Sequence, residues 1–174
     1  MRVPRPLMAS GLAMAILLFA SSAPYSTAAV LSRSHDGFDP LEVAIAEAYA
    51  ETGVPVEYIR GVVAQECGND LSKDARNRNG TVDHGPGLNS RWLDDYAWRF
   101  NGGRKVDPHS IESVLIVGRI LAANHRALED WDKTISSYRW GVGGTRKYGI
   151  DRQYVNKVKE YGTMERGDNA GSSE

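Results

Sequence analysis

The stretch "VVAQECGNDLSKDARNRNGTVDHGPGLNSRW", residues 62–92, joins an apolar run to a polar segment rich in Asn, Asp and Gly. A single glutamate, Glu66, stands at the junction. Four apolar residues before it recur at the three-and-four spacing of one helix face, and Glu66 takes the next position on that face. These residues are Val56, Ile59, Val62 and Val63. Because burying an unpaired carboxylate costs several kcal/mol, Glu66 must be neutral, paired or functional.

The composition narrows the classes of protein that fit. The net charge is −1 over 174 residues, with both signs interspersed, which argues against a nucleic-acid binder. One cysteine, Cys67, excludes an intramolecular disulfide and any multi-cysteine metal site. The four histidines, at positions 35, 84, 109 and 125, are too scattered in the sequence to predict a metal cluster. No metal and no cofactor are therefore expected.

The N-terminus predicts export. Arg2 and Arg5 precede an apolar run of 14 residues, and small residues follow it, so residues 1–29 are expected to be a signal peptide cleaved after Ala28 or Ala29. An uncleaved membrane anchor is the alternative, although the run is short for a span of about 20 residues. The expected location is the periplasm or the medium outside a bacterial cell.

The rest of the chain predicts one mainly α domain, of α+β type, with one small β-hairpin. A polar linker, 30–38, leads to a domain at 39–162, and a polar tail, 163–174, is expected to be disordered. Helices are expected to begin at Asp39–Pro40, at Pro55 and at Asp107–Pro108, where cap residues and prolines precede apolar periodicity.

Other local signals fill in this domain. Asn79–Gly80 predicts the turn of the hairpin. The segment "SRWLDDYAWRF" is expected to be a short amphipathic helix with Trp92, Leu93, Tyr96 and Phe100 on one side. "DWDKTISSYRW" is expected to be a helix that ends at a "GVGG" loop, and "DRQYVNKVKEYG" is expected to be the last helix.

Glu66 and Asp83 form a candidate catalytic pair. An apolar environment raises the pKa of a glutamate, as a general acid working near neutral pH requires. Asp83 lies in the polar hairpin, which favours its ionised form. Two carboxyl groups in unlike environments are the arrangement used for glycosidic bond cleavage. On spacing alone the pair has an alternative interpretation as a helix cap, a salt bridge or a solvated face.

Several motifs carry a family resemblance. "ECGN" at 66–69, "NRNGTVDHG" at 77–85 and "NSRW" at 89–92 resemble the active-site segment of the lysozyme superfamily. "DPHSIESVLIVGRIL", "SSYRWGVGG" and "QYVNKV" resemble motifs of bacterial soluble lytic transglycosylases. The similarity is greatest to the small exported members that accompany secretion and conjugation machines, and it covers residues 41–162.

The resemblance implies a lysozyme-like fold and a peptidoglycan lytic transglycosylase. Such an enzyme cleaves the β-1,4 bond between N-acetylmuramic acid and N-acetylglucosamine and leaves 1,6-anhydro ends, with Glu66 as acid and then base. The implied partners are peptidoglycan glycan strands and a secretion or conjugation apparatus, with no nucleic acid, and the chain is expected to be a monomer. The expected substrate-binding residues, some of which also fit core or rim packing, are Asn79, Asn89, Tyr138, Arg139, Trp140, Gly141 and Tyr154.

The chain also departs from the family pattern. "GPGLNS" is one residue shorter than the usual segment and lacks its glutamine, Arg139 replaces an asparagine, and Cys67 replaces a common serine. Two alternatives therefore stay open. One is a lysozyme-type hydrolase that uses both Glu66 and Asp83, and the other is a non-catalytic peptidoglycan-binding or secretion-assembly module.

Overall fold

The computed structural model describes residues 39–164. The predicted signal peptide, the linker and the tail beyond Met164 lie outside the described residues. Thr163, assigned to the tail from the sequence, is the last residue of the final helix.

The described part of the chain is mainly helical, with a small antiparallel sheet. None of its helices has the length and the continuous apolar character needed to cross a membrane. The helices are α1 Pro40–Thr52, α2 Val56–Cys67, α3 Leu93–Phe100, α4 Glu112–Leu128, α5 Trp131–Tyr148 and α6 Arg152–Thr163, and a 3-10 turn spans Ser90–Trp92. The strands are β1 Asp74–Arg76, β2 Val82–His84 and β3 Leu88–Asn89, in the order β1-β2-β3.

The sheet confirms the predicted hairpin and extends it. Asn77 N–H donates to Thr81 O over 2.8 Å, and Gly80 takes a φ of 85°, so the turn forms at Asn79–Gly80. The expectation of a single hairpin was incomplete, because β3 adds a third strand that pairs with β2. A strand of two residues that follows a glycine turn is too short to show an alternating pattern.

Of the three predicted helix starts, those of α1 and α2 are confirmed to within one residue, since Pro55 is the N-cap of α2. Asp39 accepts a hydrogen bond from Leu41 N–H over 2.9 Å, and α1 begins at Pro40 as predicted. The predicted start at Asp107–Pro108 is wrong, since α4 begins at Glu112. Asp107 instead closes a separate turn, in which its carboxylate accepts His109 N–H over 3.0 Å.

Two predicted features of α3 and α5 need correction. Trp92 does not share the inner side of α3, since it lies in the preceding 3-10 turn and is 48% exposed. The predicted "GVGG" loop is mostly helical, because α5 continues to Tyr148. Only Gly141 leaves helical geometry, with φ 70° and ψ 163°, and it breaks α5 into two parts.

The core is built on α2 and α6. Ile59, Val62 and Val63 of α2 are fully buried, and Val56 is partly buried against the same core, so the predicted stripe faces inward. A Cβ added at Gly61 would lie 2.0 Å from Val158 O, so the two helices approach backbone to backbone. A second glycine, Gly162, allows the same closeness to Glu57 O. These contacts hold α6 along the first half of α2, and Glu66 stands in the last turn of the same helix.

Candidate active site

Glu66 stands in the last turn of α2, and its carboxyl group is held by a tyrosine of α6. Tyr154 Oη donates a hydrogen bond to Glu66 Oε1 over 2.5 Å. Tyr154 is itself 4% exposed, so the donor of this bond is almost fully buried. Helix α2 ends directly after the site, where Gly68 takes a left-handed φ of 64°. The expectation of a glutamate at a helix end, facing inward, agrees with this placement.

The surroundings of Glu66 favour its protonated form. Burial raises the pKa of the Glu66 carboxyl above its ordinary value of 4.5, and the negative charge of Asp83 raises it further. The hydrogen bond from Tyr154 and the charge of Arg139 lower this pKa, but burial outweighs them. A carboxyl group of this kind keeps its proton to a higher pH than one in water.

The second carboxyl oxygen of Glu66 faces a glycine. A Cβ added at Gly87 would lie 2.9 Å from Glu66 Oε2, and Gly87 has a φ of 88° that favours glycine. The neighbouring Pro86 O accepts a hydrogen bond from Tyr138 Oη over 2.8 Å. Tyr138 of α5 therefore anchors the β2–β3 turn beside Glu66, while Gly87 leaves room next to Oε2.

Asp83 lies on β2, and two asparagine side chains hold it. Asn89 Nδ2 donates to Asp83 Oδ1 over 2.6 Å, and Asn77 Nδ2 donates to Oδ2 over 2.9 Å. The same two amides reach Thr81 Oγ1, over 3.0 and 3.1 Å. Each carboxylate oxygen of Asp83 thus has its own amide donor. The second hydrogen bond of each amide, to the Thr81 hydroxyl group, fixes the orientation of that donor.

The structure brings most of the predicted site residues together around Glu66 and Asp83. Tyr154 contacts Glu66, Tyr138 holds the adjacent turn, and Asn89 binds Asp83. Asn79 has a different place, because its Oδ1 accepts the N–H and the hydroxyl of Thr81 over 3.1 and 2.8 Å. Its side chain stabilises the turn rather than contacting either carboxyl group.

Three predicted substrate-binding residues follow one another on α5, and they differ in their contacts. Arg139 Nη1 donates to Asp151 Oδ2 over 3.0 Å, and its guanidinium lies 5.9 Å from the ring centre of Tyr154. Trp140 is 40% exposed and meets the ring of Tyr148 edge-on. Gly141 has open space around its Cα, at the break in α5. Arg139 is therefore the member of this group that acts on Glu66, through its charge.

Two residues of the site were missed from the sequence. Asn77 holds Asp83 although it lies six positions away, and Gly87 borders Glu66 across the fold. The Asn-rich turn was a signal for Asn77. No sequence signal marked Gly87, because its role depends on which helix it meets.

Cys67, next to Glu66, is a buried structural residue. Its Sγ donates to Val63 O over 3.2 Å, one turn back along α2. Burial raises the pKa of the Cys67 thiol, which disfavours the reactive thiolate.

The histidines correct one expectation from the sequence. His84 and His109 are not scattered, since both contact the carboxylate of Asp74. The hairpin and the turn before α4 bring together residues that are up to 35 positions apart. These three side chains are a group that could hold a metal ion.

A cavity of about 550 Å³ lies elsewhere in the fold. Four arginines and a glutamate contribute to its lining, and it shares no lining residue with the surroundings of Glu66. The charged members are Glu51, Arg99, Arg104, Arg119 and Arg126. Arg119 is paired with Glu51 inside it. The cavity and the pair of carboxyl groups are therefore separate places in the fold.

Comparisons of the chain with models of protein families, with curated proteins and with solved structures found no match.

Proposed function

We propose that this chain is a peptidoglycan lytic transglycosylase with a lysozyme-like fold. The observation that carries the proposal is the Glu66 carboxyl group, which has its pKa raised by burial and is oriented by Tyr154. A helix-end glutamate that faces a small sheet bearing an aspartate also agrees with the motif resemblance over residues 41–162.

The first step uses Glu66 as an acid. Its hydrogen bond from Tyr154 occupies Oε1, and among the described residues Oε2 has no hydrogen-bond partner. Oε2 is therefore the oxygen from which a proton passes to the glycosidic oxygen between N-acetylmuramic acid and N-acetylglucosamine. The bond from C1 to that oxygen breaks, and positive charge develops on the muramic ring.

The second step uses the same group as a base. Glu66, now a carboxylate, takes the proton of the C6 hydroxyl group of the muramic residue, and O6 bonds to C1. The product is a 1,6-anhydro ring, and Glu66 regains the proton that it gave away. No water is consumed, and neither a metal nor a cofactor takes part in this scheme.

The other proposed properties follow from the sequence. The chain acts outside the cytoplasm, since the predicted signal peptide directs export. Its partners are peptidoglycan glycan strands and a secretion or conjugation apparatus. Tyr138, Tyr154 and Arg139 line the proposed glycan site near Glu66, while Trp140 offers an exposed ring on which a sugar can stack.

A lysozyme-type hydrolase is the second candidate, and the contacts of Asp83 favour it. Two amide donors hold the Asp83 carboxylate in a fixed orientation. A carboxylate so fixed could stabilise a cation at C1 while water attacks, with Glu66 still the proton donor.

The products decide between the candidates. Purified peptidoglycan sacculi are digested with the full chain, and the released fragments are weighed by mass spectrometry, with Glu66→Gln as the matched negative control. We expect anhydromuramic ends, which are one water lighter than the reducing ends of a hydrolase. Reducing ends alone would favour the hydrolase, and no digestion at all would favour the non-catalytic module.

A further inference from the structure

We propose that Asp74, His84 and His109 form a binding site for a divalent transition-metal ion, with Zn²⁺ as its expected occupant. The site is separate from the proposed glycosidic chemistry and does not depend on it. It uses three side chains that come from β1, from β2 and from the turn before α4.

The ligand atoms already converge. Asp74 Oδ1 lies 2.7 Å from His84 Nδ1 and 2.8 Å from His109 Nε2. All three candidate ligand atoms lie within 4.8 Å of one another. The two imidazole rings are perpendicular, with centres 5.3 Å apart. Each ring presents one nitrogen to the same carboxylate.

The backbone holds this arrangement from both sides. Asp74 and His84 are directly paired residues of β1 and β2, so their side chains leave the same face of the sheet. His109 is fixed by its turn, in which His109 N–H donates to Asp107. Gly85 allows that turn to pack closely against the sheet, because a Cβ at this position would lie 2.3 Å from Pro108 O.

The donor set suits Zn²⁺. Two imidazole nitrogens and one carboxylate oxygen are common ligands of this ion, at about 2.0–2.2 Å. Tetrahedral coordination at that length separates ligand atoms by about 3.3 Å, so the two contacts of Asp74 must lengthen by roughly half an ångström. The two imidazole nitrogens, which lie within 4.8 Å of each other, must adjust to the same separation. The side chains of Asp74 and His109 are 46% and 40% exposed, which leaves them free to make this small shift.

Because Asp74 and His109 are partly exposed, solvent water can supply the fourth ligand. Asp83, next to His84 on β2, leaves the opposite face of the strand because side chains alternate. A bound ion would therefore tie the sheet to the turn before α4 without touching the face that carries Asp83. Copper(II) should bind the same donors more tightly than Zn²⁺, following the usual order of divalent metals.

Calorimetric titration of the full chain, without a histidine tag and after treatment with a chelator, tests the proposal with ZnCl₂ as the probe. We expect saturable binding of one ion per chain. His84→Asn, His109→Asn and Asp74→Asn should each weaken binding at least ~10-fold, since even the loss of an outer partner of a metal ligand costs about 10–100-fold. Glu160→Gln, which removes an exposed carboxylate on α6, is the matched control and should bind Zn²⁺ like the original chain.

A second measurement keeps the test independent of how the variants fold. Nitrogen-15 spectra of the histidine rings should show Zn²⁺ shifting Nδ1 of His84 and Nε2 of His109, with His125 unchanged. The proposal is overturned if no saturable binding occurs, if all three ligand variants bind as the control does, or if the shifted nitrogens belong to other histidines.

Discussion

The two carboxyl groups of the candidate site are positioned in different ways. Glu66 stands on a helix whose place is set by apolar packing and by the backbone contact of Gly61 with Val158. Asp83 stands on a strand of three residues, and amide hydrogen bonds from Asn77 and Asn89 fix it. One wall of the site is thus held by the core, and the other by a polar network near the surface.

The two walls should therefore respond differently to substitution. Packing is shared among many apolar side chains, so the helical wall tolerates a polar change at its tip but not a change in helix spacing. A hydrogen-bond network has few members, so losing one partner leaves a polar group unsatisfied. A substitution of Glu66 should therefore change activity with little change in stability, whereas a substitution of Asp83 should change both.

The largest expected effect comes from Glu66→Gln. Glutamine keeps the size of the side chain and can still accept the hydrogen bond of Tyr154, but it cannot donate a proton as an acid. Activity on peptidoglycan should fall by at least ~10²-fold, the range typical of general-acid loss, while the fold is kept. Turbidity loss of sacculi, measured per folded molecule and beside thermal melts, checks this. A fully active but less stable variant would refute the catalytic assignment.

The next largest effect is expected from a substitution at the contact between α2 and α6. Gly61→Ala puts a methyl group 2.0 Å from Val158 O, so α2 and α6 must separate. We expect a loss of about 3 kcal/mol in the free energy of unfolding, the upper range for overpacking, measured by urea titration.

Gly143→Ala is the matched control for this change. Gly143 also lies in a helix, but nothing stands within 4 Å of its added Cβ. Alanine should raise stability there by up to ~1 kcal/mol, because it forms helices better than glycine. Equal losses in both variants would show that the close contact of α2 with α6 is not what the core depends on.

Asp83→Asn tests the sheet wall. A transglycosylase that relies on one carboxyl group should lose less than about tenfold of its activity, well below the ~10²-fold expected at Glu66. The measurement is turnover per folded molecule, since an amide at this position disturbs the contacts of Asn77 and Asn89. Asp94→Asn, an exposed aspartate of α3, is the control. A loss as large as that of Glu66→Gln would favour the hydrolase.

The smallest effect is a dependence of stability on pH. The folded-state pKa of Glu66 lies above its ordinary 4.5, so between these two values the folded chain binds more protons than the unfolded chain. The contribution of Glu66 to stability is then present below pH 4.5 and is lost as the pH rises through the raised pKa. The melting temperature of Glu66→Gln relative to the original chain should therefore increase across this window. A constant difference would contradict the burial of the carboxyl group.

The features of both walls that depend on local sequence patterns could be predicted. Apolar periodicity placed Glu66 at the inward end of α2, because a helix turns by a fixed angle per residue and the core selects one face. The Asn-Gly turn predicted β1 and β2. The start of α4 was missed because Asp107 caps its own short turn, and an aspartate before a proline looks the same in either case.

Contacts between distant segments account for what was missed. Gly87 borders Glu66 and Asn77 reaches Asp83 only after the sheet has docked on the helices. His84 and His109 appeared scattered in the sequence. Asp74 and His109 are 35 positions apart, and no local pattern predicts that β1 meets the turn before α4. Local patterns predict elements, whereas these neighbours depend on tertiary packing.

The hydrogen bond from Tyr154 to Glu66 joins residues that are 88 positions apart, and α6 is the last helix of the described chain. During synthesis, α2 leaves the ribosome long before its partner does. Until α6 docks, the Glu66 carboxyl lacks its tyrosine and part of its apolar cover, so it behaves as an ordinary solvated acid that is ionised at neutral pH. Contacts between residues so far apart in the chain carry a large loop-closure entropy cost. The fully raised pKa of Glu66 is therefore acquired only when α6 docks on α2.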